Sequence, residues 1–430
     1  MTVALAHEGP LAELDDEVRR RILQRSEAVP EDVRQQVRRM AERIRQRGDD
    51  ALRAFTERFD DVTLDELAVP EAERQAALEE APGAFVDAFE TASEQIRAYH
   101  AARADDEATA FAGGGVRARE RAVPLERVGI YVPGGTAAYP STVAMTVIPA
   151  QVAGVDEVTL ASPPGPDGRP HELVLAACQL LDVDRVVSLG GAQAVLGLAA
   201  GTGTVPANDA VVGPGNVYVQ AAKQHVAGSV RIDAPAGPSE VAVLADARAD
   251  PGAVARELAA QAEHDPRAVA LAICEDESLA KRVRRALTEA LEGLSRRDVV
   301  EQALAARGGV LWSEDPDRAR AFVDDLAPEH LAILHEDDEA IADRLTGPAC
   351  IVTGEQARVP LTDYAAGPSH VLPTGGHARA HSGIGVATFT KHVHVAHMDD
   401  VDEALVEAAS ELARIEGFDA HARSIEEGSP

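Results

Sequence analysis

The stretch "EVTLASPPGPDGRPHELVLAACQLLDVDRVVSLGG", residues 157–191, decides the fold class of this chain. It begins with a short apolar run at 157–162, continues with a helical pattern at 171–181, and ends with a second apolar run and two glycines. Nearly continuous apolar strands that alternate with helices indicate a parallel sheet covered on both faces. We therefore predict an α/β fold.

The same alternation extends in both directions from this stretch. Further strand-like runs are "DAVVGPGN", "EVAVLAD", "AVALAIC", "GGVLWS" and "ACIVTG", and helical runs such as "GNVYVQAAKQHV" and "GAVARELAAQAEHD" lie between them. Residues 127–380 are long enough for two such units, and the Pro- and Gly-rich "IDAPAGPSE" at 232–240 is a plausible seam. The predicted architecture is two incomplete Rossmann-like parallel-sheet units.

Helical patterns flank this central region. Residues 1 to about 110 are predicted to be mainly helical, since "VRQQVRRMAERIRQRGDDALRAFTERFD" repeats apolar positions at helical spacing. Residues 112–133 break the pattern with glycines and two short extended runs. Residues 400–424 form a last, highly charged helical segment. The prediction is thus a helical N-terminal region and a helical C-terminal tail.

The charge of the chain excludes several classes of partner. Its 430 residues contain 72 acidic and 41 basic side chains, which gives a net charge of −31, and only Lys223, Lys281 and Lys391 are lysines. Non-specific nucleic-acid binding requires a basic surface, and anionic membranes repel an acidic one. Since the excess is spread along the chain, we interpret it as adaptation to a salty (halophilic) cytoplasm, with a cationic partner as the alternative.

Cysteine usage and hydropathy favour a soluble cytoplasmic protein. Cys178, Cys274 and Cys350 lie among apolar residues and are too few for a disulfide framework. We expect them to be small buried hydrophobes. No N-terminal signal is visible, and the longest apolar stretch is too short and interrupted to span a bilayer.

Three glycine-containing loops, "GIYVPGG", "SLGGAQAV" and "VVGPGN", follow apolar strand-like runs. Glycine lets the backbone approach a phosphate closely, and ligands of α/β sheets bind outside the carboxyl ends of strands. Each loop alone is typical of a turn, and none is a GxGxxG motif or a P-loop. Together they make a cofactor cleft credible.

Several residues could bind a metal ion. Gln261 and His264 are three apart at the end of a predicted helix, and "DYAAGPSHVLP" offers Asp363 and His370. Such nitrogen and oxygen ligands suit zinc or a similar divalent ion, but the spacing alone is weak evidence. His392, His394 and His397 form a tract that alternates with valines, and we interpret it as a half-exposed strand.

"DLAPEHLAIL", residues 325–334, places a carboxylate and an imidazole together in an apolar segment. Pro328 fits the first turn of a helix, where Glu329 would be stabilised by the helix dipole. That structural interpretation does not account for His330. Alternatively, Glu329 and His330 activate water and transfer protons, because burial raises a carboxyl pKa toward the working pH and that of histidine is already near it.

Taken in this order, the motifs resemble histidinol dehydrogenase. The matching stretches are "RVGIYVPGG", "GGAQAV", "VGPGNVYV", "DAPAGPSEV", "AQAEHDP", "APEHL", "DYAAGPSHVLP" and "EGFDAH", which together reach from about residue 120 to 421. The resemblance implies oxidation of L-histidinol through L-histidinal to L-histidine, the last step of histidine biosynthesis. It also implies NAD, one zinc ion per subunit, and a homodimer with shared active sites.

The resemblance assigns roles residue by residue. Glu329 and His330 match the catalytic pair. The metal positions are Gln261, His264, Asp363 and His421, with His421 supplied by the other subunit. Substrate contacts are implied for Ser239, Gln261, His264, His330, Asp363, Glu416 and His421. Cofactor contacts are implied for Tyr131, Gln193 and Asn216. The family more often has Thr-Asn before the histidine of "GPSHVLP", so His370 is kept as a supporting group behind the metal ligands.

We expect four regions in the chain. These are an N-terminal arm (1–25), a unit with most zinc and catalytic residues (26–125 plus 240–382), a cofactor-binding unit (126–239), and a tail that reaches the partner's site (383–430). Two functions stay open beside the first. One is a zinc hydrolase in which Glu329 activates water without redox chemistry, and the other is a dehydrogenase of a different amino alcohol.

Overall fold

A computed structural model describes residues 3–26, 28–104, 110–134 and 138–427. The strands are β1 (His7–Pro10), β2 (Ala110–Gly113), β3 (Val116–Pro124), β4 (Arg127–Tyr131), β5 (Glu157–Ser162), β6 (Arg185–Ser188), β7 (Ala210–Val212), β8 (Arg231–Ile232), β9 (Glu240–Ala245), β10 (Val269–Cys274), β11 (Gly308–Trp312), β12 (His330–Leu334), β13 (Cys350–Val352) and β14 (Thr390–Met398). The helices are α1 (Asp16–Leu23), α2 (Glu31–Arg47), α3 (Asp49–Asp60), α4 (Glu71–Glu80), α5 (Gly83–Ala101), α6 (Pro140–Ala153), α7 (Glu172–Leu180), α8 (Gly191–Ala200), α9 (Val217–Val226), α10 (Pro251–Ala262), α11 (Glu277–Ala290), α12 (Arg297–Arg307), α13 (Pro316–Leu326), α14 (Asp338–Ala342), α15 (Val359–Tyr364), α16 (Glu403–Ile415) and α17 (Asp419–Glu427).

Two parallel sheets dominate the fold and confirm the α/β prediction. The six-stranded sheet has the order β1-β11-β10-β9-β12-β13, and the five-stranded sheet has the order β6-β5-β4-β7-β8. Every strand pair in both sheets is parallel. The stretch at 157–191 is β5, α7 and β6 of the five-stranded sheet.

Burial explains why the strands have nearly continuous apolar sequences. All six residues of β9 and all six of β10 are buried, because helices cover both faces of the sheet. Glu240 is the exception to the apolar pattern, since it is the buried first residue of β9. The cores on the two faces of each sheet are built mainly from Ala, Val, Leu and Ile.

The N-terminal helices pack on the five-stranded sheet. Ile44 of α2 and Leu52 of α3 belong to the same buried cluster as Leu189 and Val195 of that unit. A division by packing would therefore group α2 and α3 with the five-stranded unit, whereas the sequence-based division placed 26–125 with the other one. The domain boundaries remain predictions. The predicted arm and tail also include residues 1–2 and 428–430, which lie outside the described residues.

Two local expectations are corrected. Residues 7–10 were predicted to be part of a helical region, but they form β1, which pairs with β11 at the edge of the six-stranded sheet. Pro328 does not begin a helix. Helix α13 ends at Leu326, and the chain then enters β12, an inner strand between β9 and β13. The strand is hard to recognise in the sequence because "HLAIL" begins with three residues that are not β-branched. The continuous apolar run at 331–334 is nevertheless typical of a strand.

A third, antiparallel sheet has the order β14-β3-β2. The histidine tract lies on β14, as its alternation predicted, and His392 pairs with the Glu120 carboxylate at 2.9 Å. Helices α16 and α17 follow and form the predicted helical tail. Within the described part of the chain, every helix falls short of the length and apolarity needed to span a bilayer.

Candidate active site

Glu329 and His330 lie at the amino end of β12, on a turn that leaves α13. The turn passes through Ala327, whose φ of 45° is unusual for a residue with a side chain. Glu329 is only 6% exposed and His330 only 2%. The apolar flank of this motif therefore buries both titratable groups, as a catalytic pair requires.

The Glu329 carboxylate is held by the neighbouring strand. Its Oε2 accepts a hydrogen bond of 2.7 Å from the backbone N–H of Glu240, the first residue of β9. Burial raises the pKa of Glu329 well above its usual range, and this hydrogen bond offsets only part of the effect. An ionised Glu329 is consequently a stronger base than an exposed glutamate.

The His330 ring lies between two carboxylates without bonding to either. Its Nδ1 is 3.9 Å from Glu329 Oε2 and its Nε2 is 3.7 Å from Asp363 Oδ1. Neither ring nitrogen has a hydrogen-bond partner in the structure. Burial lowers the pKa of His330 to about 3, so the ring is neutral in the folded protein.

A pocket of about 240 Å³ brings together three of the four predicted metal ligands. Gln261 is in the last turn of α10, His264 follows the end of that helix, and Asp363 is on α15. All three line the pocket, together with Glu257. Burial, reinforced by the nearby Glu257, raises the pKa of Asp363 to about 7. A bound cation would relieve this crowding of negative charge.

His370 connects this pocket to the other unit. Its Nδ1 lies 2.6 Å from the Asp363 carbonyl oxygen and its Nε2 lies 3.1 Å from the Thr142 hydroxyl. A carbonyl oxygen only accepts, so Nδ1 carries the proton and the Thr142 hydroxyl donates to Nε2. Thr142 is on α6, beside the five-stranded sheet. His370 therefore contacts the backbone of Asp363, and its supporting role stays a prediction.

The remaining predicted substrate residues are not gathered in the pocket of one chain. Ser239 directly precedes β9, and its carbonyl accepts a 3.0 Å hydrogen bond from Val269. Glu416 and His421 are exposed in the tail, and no hydrogen bond or ion pair of the described residues connects them to the pocket. Among those residues, no three His, Cys, Asp or Glu side chains are grouped to hold a metal.

The predicted cofactor residues lie at the carboxyl edge of the five-stranded sheet. Tyr131 ends β4, and its hydroxyl accepts a 3.1 Å bond from the backbone N–H of Gly191. Gln193, in the first turn of α8, donates to Asp60 at 3.0 Å. Asn216 caps α9 through hydrogen bonds to two backbone N–H groups. Gly135, from the first glycine loop, lies outside the described residues.

The helices that follow the strands differ between the two units. After β9, β10 and β11, the helix N-termini are capped by carboxylates, namely Asp250, Asp276 and Asp315. The described strand–helix turns of the five-stranded sheet have no acidic cap, and α8 begins at glycines without any side-chain cap. A phosphate is attracted to uncapped N–H groups and repelled by carboxylates, so the uncharged helix start at α8 is better suited to a phosphate than the aspartate-capped starts of α10, α11 and α13.

Sequence reasoning missed several polar residues in these sites. Asp60 reaches the cofactor edge from α3, and burial raises its pKa to about 6. Lys223, one of the three lysines, is 1% exposed and forms a buried ion pair with Asp233, which also accepts from Gly213 in the "VGPGN" loop. The sequence feature that could have identified Lys223 is an ionisable residue within an apolar segment. The same feature marks Glu240.

The buried Glu329–His330 pair, the adjacent pocket and the two parallel sheets are the features of an α/β protein with a candidate active site. Residues 23–427 match the family model described as histidinol dehydrogenase. A histidinol dehydrogenase of Methanosarcina mazei is 41% identical over 96% of both chains, and one of Natronomonas pharaonis is 42% identical over 97% of this chain and 98% of that one. The chain belongs to the histidinol dehydrogenase family.

A solved structure supports the same relationship at the level of the fold. The crystal structure of histidinol dehydrogenase from Elizabethkingia anophelis is 31% identical in sequence and superposes with a TM-score of 0.93. The match covers 99% of this chain and 98% of that one. The arrangement of the two sheets, the third sheet and the tail is thus that of the family.

Proposed function

We propose that this protein oxidises L-histidinol through L-histidinal to L-histidine, with NAD and a zinc ion, as the last step of histidine biosynthesis in the cytoplasm. The observation that carries the proposal is the buried Glu329–His330 pair beside a pocket lined by Gln261, His264 and Asp363. Membership of the family supports the substrate and the reaction.

The residues of the pocket fit a zinc ion. One amide, one imidazole and one carboxylate offer the nitrogen and oxygen donors that zinc accepts. The pKa of Asp363 is raised in the absence of a cation, and the ring nitrogens of His330 are unpartnered beside it. When bound, zinc would supply a Lewis-acidic centre for the nitrogen atoms of the substrate, and NAD would supply the hydride acceptor.

The acid–base roles follow the family resemblance. His330, whose ring nitrogens hold no hydrogen bond among the described residues, accepts the proton of the substrate hydroxyl in the first oxidation. The second oxidation requires the aldehyde hydrate. Glu329 removes a proton from the attacking water, because its raised pKa makes it a competent base. His330 then accepts the proton of the hydrate hydroxyl.

We also propose that the active site is completed in a homodimer. The partner subunit's His421 would be the fourth metal ligand, and the partner subunit's Glu416 would contact substrate. Exposed apolar side chains on the tail support this proposal, since Leu412, Ile415 and Phe418 are each more than half exposed. Leu361 and Tyr364 on α15, near the pocket, are similarly exposed. Both surfaces are suited to burial against a second copy.

The experiment is an NADH assay with histidinol and, separately, with histidinal. The wild-type protein is expected to reduce NAD with both substrates. Glu329→Gln is expected to slow histidinal oxidation by about 10²-fold or more, since general base catalysis contributes that much, and to slow the alcohol step by less than about tenfold. Hydrolysis of an ester or amide without NADH formation would instead establish the zinc hydrolase. Equal loss in both steps would refute the water-activating role.

A further inference from the structure

The N-terminal arm contributes a buried arginine, Arg25, which binds Glu240. The backbone of Glu240 in turn contacts Glu329 of the catalytic pair. The Arg25 side chain is 5% exposed and its partner Glu240 is 3% exposed. Arg25 Nε donates to Glu240 Oε1 at 2.6 Å, and its Nη2 donates to Oε2 of the same carboxylate. This bidentate pair joins the segment after α1 to the first residue of β9, and Arg25 lies outside every motif discussed above.

The same guanidinium holds the turn that leads into the catalytic pair. Its Nη1 donates to the Leu326 carbonyl at 2.8 Å, and its Nη2 lies 3.4 Å from the Ala327 carbonyl. Ala327 has the left-handed backbone conformation that few residues with a side chain adopt. Arg25 thus stabilises the backbone two residues before Glu329, at the residue with the left-handed conformation.

Glu240 completes the connection to Glu329. Its backbone N–H donates to Glu329 Oε2 at 2.7 Å, while its own Oε1 accepts from the backbone N–H of Gly375 at 2.9 Å. Arg25 therefore acts on Glu329 along two paths, one through the strand β9 and one through the turn at 326–327. When a carboxylate must point at a water molecule, the rate of the catalysed step falls if the carboxylate shifts by even a fraction of an ångström.

We propose that Arg25 is a positioning residue for Glu329, acting through Glu240 and the 326–327 turn. The inference rests on the proposed function, because it assigns to Arg25 an effect on the water-dependent second oxidation. Arg25 does not reach the substrate pocket, and its contribution is to fix where the Glu329 carboxylate lies. A purely structural arginine would stabilise the fold and leave the balance between the two oxidations unchanged.

The decisive variant is Arg25→Lys in the full-length enzyme. Lysine retains the charge that Glu240 requires, but a single ammonium cannot replace the planar fork and its two carbonyl bonds. We expect kcat for histidinal oxidation to fall about tenfold, with KM for histidinal changed less than about threefold and the alcohol step nearly unchanged. Thermal unfolding shows whether the variant is folded at the assay temperature.

Arg284→Lys is the matched control. Arg284 also connects the N-terminal arm to the six-stranded unit, since it donates to the Glu8 carboxylate and the Val3 carbonyl, but it lies on α11 and contacts no active-site residue. We expect this variant to retain wild-type rates in both oxidations. If it reproduces the selective loss of Arg25→Lys, the effect belongs to the arm as a whole and the proposal is wrong.

A double-mutant cycle with Glu329→Gln separates positioning from stability. If Arg25 acts by aiming Glu329, Arg25→Lys has no more than a twofold effect on histidinal oxidation once the base is absent. Multiplicative losses, equal losses in both oxidations, or wild-type rates in folded Arg25→Lys would each overturn the inference. A wild-type enzyme without NADH formation would overturn the proposed function itself.

The double variant Arg25→Met/Glu240→Gln tests the same inference if Arg25→Lys fails to fold. This pair removes both charges, so no buried charge is left alone, and the backbone N–H of residue 240 is retained. We expect the same selective loss in histidinal oxidation. Wild-type rates in this folded double variant would show that the guanidinium is dispensable for aiming Glu329.

Discussion

At the scale of single residues, desolvation sets the chemistry of the site. The same burial moves the pKa of Glu329 upward and that of His330 downward, because each shift favours the uncharged form. Ionised Glu329 is therefore a stronger base than an exposed glutamate, whereas His330 is a neutral and weaker one. Composition and spacing could identify this pair as chemically unusual, but its contacts with Glu240 and Asp363 depend on strands and helices that are far apart in sequence.

Another buried histidine provides a test of pH-dependent stability. His100 on α5 is 2% exposed, both ring nitrogens lack a hydrogen-bond partner, and burial lowers its pKa to about 4. The unfolded chain takes up a proton near the ordinary pKa of about 6.5, before the folded one does. Stability from this residue is thus complete above about pH 6.5 and is lost as the pH falls toward 4.

We expect His100→Leu to reduce this acid sensitivity. The leucine variant should lose less of its melting temperature between pH 7 and pH 5 than the wild type, measured by thermal unfolding at constant ionic strength. A variant whose melting temperature follows that of the wild type across this interval would show that other groups dominate the acid response.

At the scale of elements, the helix N-termini bear on the proposal that the five-stranded unit binds the cofactor. The aspartate caps of α10, α11 and α13 neutralise the helix ends of the six-stranded unit, whereas α8 and α9 present uncharged ends. Asn216→Asp exchanges one neutral cap for a carboxylate of the same shape. Because aspartate caps as well as asparagine, the helix stays stable while anionic ligands are repelled.

Asn216→Asp is therefore expected to raise KM for NAD roughly two- to fivefold, the effect of about 0.3–1 kcal/mol at a helix terminus. Initial rates at varied NAD measure this change, and the melting temperature should not fall. Asp276→Asn in α11 is the control and should leave KM for NAD unaltered. An unchanged KM in Asn216→Asp would place the pyrophosphate away from α9.

The sequence supports prediction of the elements better than prediction of their contacts. The strands with continuous apolar runs, β5, β6, β9 and β10, follow directly from burial on both faces. β1 is only four residues long and is polar, so its pairing with β11 depends on a neighbour that the local sequence does not reveal. Residue type and spacing made Gln261, His264 and Asp363 weak metal candidates, and the family resemblance grouped them, since only tertiary packing of α10 against α15 brings them to one pocket.

At the scale of the whole molecule, the proposal of a site shared between subunits predicts complementation. His330→Ala and His421→Ala homodimers should each be inactive. In a mixed dimer one site carries both lesions and the other carries none. Random exchange of equal amounts makes half of the dimers mixed, so about a quarter of wild-type activity is expected to return. The NADH assay before and after subunit exchange measures it, and no recovery would contradict a site shared between subunits.

The net charge of −31 predicts that salt stabilises the protein. Like charges on the surface repel one another, and added salt shortens the range of that repulsion to about 8 Å at 0.15 M and about 3 Å at 1 M. We expect the melting temperature to rise between 0.05 M and 1 M potassium chloride. A melting temperature that is flat or falls over this range would show that the acidic surface does not limit stability.

The pairing of β1 with β11 has a consequence for the order in which the chain folds. A polypeptide emerges from the ribosome amino end first, and its units fold as their residues become available. The five-stranded sheet is complete once β8 has been made, but β1 must wait until residues 308–312 appear, with most of the chain between them. The contacts of Arg25 with Glu240 and with the turn at 326–327 likewise form only after those residues have been synthesised. The β1 segment thus joins its sheet only after the five-stranded sheet that follows it in the chain has been synthesised.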